Sequence, residues 1–185
     1  MLDAQEKWER ASACFVLGEI GAIQVVPVLK KALEDPEDVV RGNAIKALAK
    51  CGESILISEF IGEYPKETEV VRQAIVFSVR FFEGEVFRNF IMEHLKDGND
   101  DISLEAAYSF NHMVHSQPQL LSQLKENLEN LSPEVLSVIV EGISNVYDIN
   151  ALEILERLSY YPDIGISTKA TEYYKKVSKN CGRRI

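Results

Sequence analysis

The chain has 185 residues, 46% of them hydrophobic, with 29 acidic and 20 basic side chains and a formal net charge of −9. That length and apolar content can bury a continuous core, while the apolar runs are too short and too interrupted to cross a bilayer. The negative balance argues against binding a nucleic acid backbone, which requires basic residues gathered on one surface.

In chain order, the residues predict helices near 4–17, 37–50, 67–82, 100–115, 132–147 and 163–179, with a second set filling the gaps, about eleven in all. Asp35-Pro36-Glu37, Ser132-Pro133-Glu134 and Pro162-Asp163 mark starts, because a helix N-terminus tolerates proline and favours acidic groups. Gly21, Gly52, Gly84 and Gly98 fall between helices, where left-handed or tight-turn backbone is required. No run alternates apolar and polar residues as a half-buried strand would, so the chain reads as all-α. Cys14, Cys51 and Cys181 are odd in number and form no paired motif, which fits a reducing compartment, and a cytoplasmic protein is expected.

The strongest signal is a repeat. Arg10, Arg41 and Arg72 are 31 residues apart, and the frame continues through Ser103, Leu136 and Ser167. Ala13, Ala44, Ile75, Ala106, Ile139 and Ala170 occupy one phase, and Leu17, Leu48, Val79, Phe110, Ile143 and Tyr174 lie one helical turn further on. A partner helix has its own phase through Leu29, Phe60, Ile91, Leu124 and Leu155, preceded by Val25, Leu56, Phe87, Leu120 and Ala151. The one break in the period, two extra residues around His115 to Gln119, falls in a Ser-Gln-Pro loop. A period of this size predicts a stacked array of helix pairs, with units near 4–35, 36–66, 67–98, 99–130, 131–161 and 162–180 in a single domain, 1–185.

The stretch from Glu37 to Leu48, with Val39-Val40-Arg41 followed by Ala44, Ala47 and Leu48, resembles the second helix of a HEAT-like repeat of the phycobilisome-lyase subgroup. Leu17-Gly18-Glu19-Ile20-Gly21 followed by Val25-Val26-Pro27-Val28-Leu29 matches that family's link into the next unit. The resemblance is strong over residues 8–83. Beyond it, Ile102-Ser103, Val135-Leu136 and Ile166-Ser167 replace the Val-Arg pair. It implies a right-handed α-solenoid whose Val-Arg helices line the concave side, with Arg41 and Arg72 bracing turns between helices. In the family frame, Phe15, Lys46, Phe77, Tyr108, Glu141 and Glu172 face the groove, flanked by Trp8, Val39, Asn43, Val70, Gln73, Leu104 and Glu105. The expected groove is apolar at its N-terminal half and acidic at its C-terminal half. The competing expectation is that the rings lean between helices and serve as core.

Catalytic candidates are thin. His112 and His115 lack a correctly spaced carboxylate or thiolate set, His94 stands apart, and neither a phosphate loop nor a nucleophile turn occurs. The related deoxyhypusine hydroxylases hold iron with His-Glu pairs, and this sequence has no His-Glu dipeptide. Acidic pairs such as Asp100 with Asp101, or Glu67 with Glu69, sit at helix starts and complement the dipole. Lys175, Lys176, Lys179, Arg183 and Arg184 form a basic end that reads as a solubilising cap. The expectation is therefore a non-enzymatic scaffold that binds a protein or peptide, with a basic segment suiting its acidic end, and with no cofactor or metal. Weak self-association through exposed end helices is a further expectation. The alternatives are a tetrapyrrole-binding protein similar to phycobilin lyases and, more weakly, a nucleic-acid-binding HEAT-like protein.

Overall fold

The computed structural model describes residue 2 and residues 4–182, and every regular element among them is helical. Eleven α-helices follow in order among the described residues: α1 (Lys7–Ile20), α2 (Val26–Ala32), α3 (Asp38–Lys50), α4 (Ser54–Glu63), α5 (Glu69–Val79), α6 (Glu85–His94), α7 (Asp100–Met113), α8 (Gln119–Asn127), α9 (Pro133–Ile143), α10 (Ile149–Leu158) and α11 (Ile164–Cys181). Capping side chains set several of the starts. Thr68, Asn99, Ser132, Asp148 and Asp163 each accept a hydrogen bond from a first-turn N–H, satisfying donors that a helix leaves open. Gly21, Gly52 and Gly84 take positive φ, whereas Gly98 does not.

The first helix begins three residues later than its periodicity predicts, and the cause is local. Arg10 Nη1 donates to the carbonyls of Ala4 (3.0 Å) and Gln5 (2.9 Å), and Glu6 is extended, so the preceding segment is held out of the helix.

The chain divides into two compact units, Met1–Phe90 and Ile91–Ile185. In the first, α1 packs along α3 and α3 along α5, while α2 and α4 cover one side. Its core gathers Cys14, Leu29, Val40, Ala44 and Leu48, all excluded from solvent. In the second, α7 packs on α9 and α9 on α11, with α8 and α10 behind. Ala106, Phe110, Leu124, Ile139, Ile143, Leu155 and Ala170 are fully buried there. The small residues of the repeat lie where neighbouring backbones approach: a Cβ on Gly18 of α1 would stand 2.8 Å from Ala47 Cα of α3.

Arg10 and Arg41 bond the turn between α2 and α3. Arg10 grips Asp35 through two parallel bonds, Nε to Oδ2 at 2.7 Å and Nη2 to Oδ1 at 3.0 Å, and both side chains are largely buried. That pairing and the Glu37 N–H hold the Asp35 carboxyl below its usual range despite its burial. Arg41 Nη1 donates to the Asp35 and Pro36 carbonyls at 3.0 and 3.1 Å. Arg72 lies 5.8 Å from the Tyr64 ring centroid. In the second unit, the Ser103 and Ser167 hydroxyls donate to carbonyls of their own helix starts, Asp100 and Ile164. Repeats of this unit are also tied in the other layer, where Lys125 reaches Glu153 at 2.7 Å and Arg157 reaches the Lys125 carbonyl at 2.7 Å.

Candidate functional site

In the first unit, α2 and α4 leave one stripe of α1, α3 and α5 uncovered. It consists of Trp8, Ser12, Phe15 and Glu19 on α1, Val39, Asn43, Lys46 and Lys50 on α3, and Val70, Gln73 and Phe77 on α5. The spacing of three or four residues on each helix puts the members on one face. Trp8 is 63% exposed and Phe15 54%. Together with Ser12, Val39 and Asn43 they line a shallow cavity of about 270 Å³. Trp8 also borders a second depression, on the far flank of α1, with Ala4, Glu9, Ser12, Ala13 and Val16. Asn43 spends one amide N–H on the Val39 carbonyl of its own helix, at 2.8 Å.

Phe77 is half-buried and is surrounded by cations. Arg80 lies 4.2 Å from its ring centroid, Lys46 5.1 Å and Lys50 6.0 Å. Lys50 also lies 5.3 Å from the Phe15 ring and is ion-paired with Glu19. Lys7, 5.7 Å from the Trp8 ring, pairs with Glu37 at 3.0 Å. The face is therefore aromatic and cationic, where the sequence predicts an apolar N-terminal half with Lys46 among its residues. Lys50, Arg80 and Phe81, whose ring stands 5.7 Å from that of Phe77, are absent from the sequence-derived set. Lys50 was legible as one turn beyond Lys46 and 31 residues beyond Glu19, whereas Arg80 lies just past the end of α5, where a helical frame stops predicting direction.

In the second unit, Tyr108 of α7 is 55% exposed, and Leu104 and Glu105 beside it are half-buried. Glu141 of α9 accepts from Lys169 Nζ at 2.6 Å and Tyr173 Oη at 2.7 Å, both on α11. The Lys169 bond and then the Tyr173 bond hold the Glu141 carboxyl below its usual range, while the carboxylate pushes the Tyr173 hydroxyl up to about 12. Its charge is thus largely answered within the unit. Glu172 shares an open cleft with Lys175, Lys176 and Lys179. The expected acidic character is diluted at both positions. Arg183 and Arg184 lie outside the described residues.

Among the described residues, no three His, Cys, Asp or Glu side chains are placed to hold one metal ion, and no helix is long and apolar enough to cross a membrane.

Residues 1–80 match the HEAT_2 family, HEAT repeats. A search of curated proteins finds no match. Among solved structures, a designed armadillo repeat protein superposes with a TM-score of 0.55 at 18% identity, covering 95% of this chain and 96% of its own. A designed armadillo repeat protein in complex with peptide (KR)4 gives 0.57 at 18% identity, covering 94% and 96%. YibA of Escherichia coli gives 0.52 at 21% identity, covering 95% and 78%. These likenesses establish the fold, an α-solenoid of stacked helix pairs.

Proposed function

We propose that the chain is a non-enzymatic scaffold that binds a protein or peptide on the uncovered faces of α1, α3 and α5 and of α7, α9 and α11. The observation that carries this is the pair of exposed rings, Trp8 and Phe15, around a cavity shared with Val39 and Asn43. Large rings at the water boundary are the unusual kind of exposure, and aromatic anchors commonly dominate interface energy. Backbone held in stacked helices loses little conformational entropy when a partner docks, so more of the contact energy appears as affinity.

Phe15, Phe77 and Tyr108 are the proposed anchors, with Gln73 and Asn43 adding hydrogen bonds. Val70 and Leu104 extend the apolar contact. Glu105, Glu141 and Glu172 would favour a partner segment that is basic where it meets the second unit, Glu141 least because Lys169 already pairs with it. A solenoid of the same fold is known in complex with a peptide, which supports a peptide-sized occupant without naming it. The cysteines are free, which supports a reducing, cytoplasmic setting. The likeness of residues 8–83 to phycobilisome-lyase repeats concerns the scaffold, and scaffold does not imply activity.

The test is affinity capture from the source lysate with the wild type beside a Phe15→Ala, Phe77→Ala, Tyr108→Ala triple variant, read by mass spectrometry. A protein enriched by the wild type alone is expected. Identical capture by both would remove the aromatic anchors from the proposal.

A further inference from the structure

We infer that the far flank of α1 docks a helix of another protein, one presenting two small residues seven positions apart with a basic residue beside them. Stacking inside the first unit defines that pattern. A Cβ on Gly18 of α1 would stand 2.8 Å from Ala47 of α3, and one on Gly42 of α3 would stand 3.4 Å from Ala74 of α5 and 3.5 Å from the Val70 carbonyl. Each helix thus offers small residues to the next, at Ala11 and Gly18 on α1 and at Gly42 and Ala49 on α3, all buried. The next helix receives them on a row at the phase of Val39, Asn43 and Ala47, repeated in Val70 and Ala74. At that same phase, 31 residues earlier, α1 carries Trp8, Ser12 and Val16.

These three are exposed, and with Ala4, Glu9 and Ala13 they line a depression of about 470 Å³. Val16 is 47% exposed, whereas Ala47, its counterpart beneath α1, is 2% exposed. A terminal repeat stays soluble by wearing a polar outer row. α11 does so, with Thr168 and Lys175 at the phases of Ala11 and Gly18, while α1 turns Trp8 and Val16 outward. Lys175 also argues against a second copy as the head-to-tail occupant, because the contact of Gly18 with Ala47 leaves no room for even a methyl group at that phase. Glu9 supplies the remaining selectivity. It is exposed, and among the described residues none pairs with its carboxylate. A cation on the incoming helix answers that charge, and a second carboxylate is repelled by it.

The probe is a set of short fluorescein-labelled peptides, stapled to hold them helical and titrated against the full chain by fluorescence polarisation. The first carries alanines seven apart on a leucine face, with lysine at the flank. The second has leucine for both alanines, and the third has glutamate for lysine. The first should bind at least about tenfold tighter than either of the others. Val16→Glu should weaken it about tenfold, and Ser12→Leu, which fills the row, should weaken it as well. Glu9→Lys should reverse the order, so that the glutamate peptide binds more tightly than the lysine one. Ile55→Glu, at an exposed position on α4, should leave binding unaltered. Circular dichroism melts confirm that each variant is folded. No binding of the first peptide, equal binding of the alanine and leucine peptides, indifference to Val16→Glu, or an unreversed order in Glu9→Lys overturns the inference. So does a wild-type dimer in analytical ultracentrifugation that Val16→Glu dissolves, because a second copy then covers the flank. Phe15, Phe77 and Tyr108 do not line this depression, so capture by their triple variant reads the groove separately.

Discussion

Asp35 ties three segments at once, accepting Arg10 from α1 and the Glu37 N–H with its carboxylate while its carbonyl takes Arg41. Because the carboxyl titrates lower in the folded chain than in the unfolded one, acidification protonates the unfolded chain first. Its contribution to stability is complete above the ordinary aspartate value of about 3.9 and is lost as pH falls through the lower folded value. The wild type should therefore exceed Asp35→Asn in denaturant-unfolding stability by a constant margin near neutrality, and the margin should shrink below about pH 4. A margin that persists to the acid end would show that the carboxylate's charge is not what stabilises the turn. Cys14 is fully buried, and burial pushes its thiol up to about 11. In native protein, thiol reagents should modify the half-buried Cys181 first and Cys14 only as the chain unfolds. Labelling of native Cys14 at the rate of a surface thiol would contradict its place in the core.

Between elements, the distance of closest approach decides the effect of adding a single methyl group. A Cβ on Gly18 would stand 2.8 Å from both Cα and Cβ of Ala47, and the backbone cannot yield there as a flexible side chain would. Gly18→Ala gains about 1 kcal/mol of helix propensity but adds an overlap costing about 1 to 3 kcal/mol, so net destabilisation is expected. Gly62, on exposed α4, would meet nothing within 4 Å, and Gly62→Ala should stabilise by about 0.5 to 1 kcal/mol. Thermal melts in which Gly18→Ala is stabilised, as Gly62→Ala should be, would refute the close approach of α1 and α3. These small-residue positions were legible in the sequence because packing repeats with the backbone: Ala13, Ala44, Ala106 and Ala170 are all buried in the frame that the period predicts. The helix start at Lys7 was not legible, since it depends on Arg10 folding back onto Ala4 and Gln5. Nor was the neutralisation of Glu141, because Lys169 and Tyr173 belong to the next repeat and a face assignment says nothing about pairing across it.

Over the whole molecule, the repeat makes the fold legible and leaves the occupant open. Each helix pair must bury its apolar side against a neighbour, so core positions recur at a fixed step, whereas the uncovered side is free to vary. That freedom is visible in Phe15, Lys46, Tyr108 and Glu141, which share one phase of the repeat and differ in chemistry. The role proposed for Phe15, Phe77 and Tyr108 is to anchor a protein or peptide on this scaffold. Its most direct test is isothermal titration of the segment isolated by affinity capture into wild type, Phe15→Ala, Phe77→Ala and Tyr108→Ala. Loss of about 1 to 4 kcal/mol in at least one variant is predicted. Unchanged affinity in all three would contradict the claim and return the rings to a packing role.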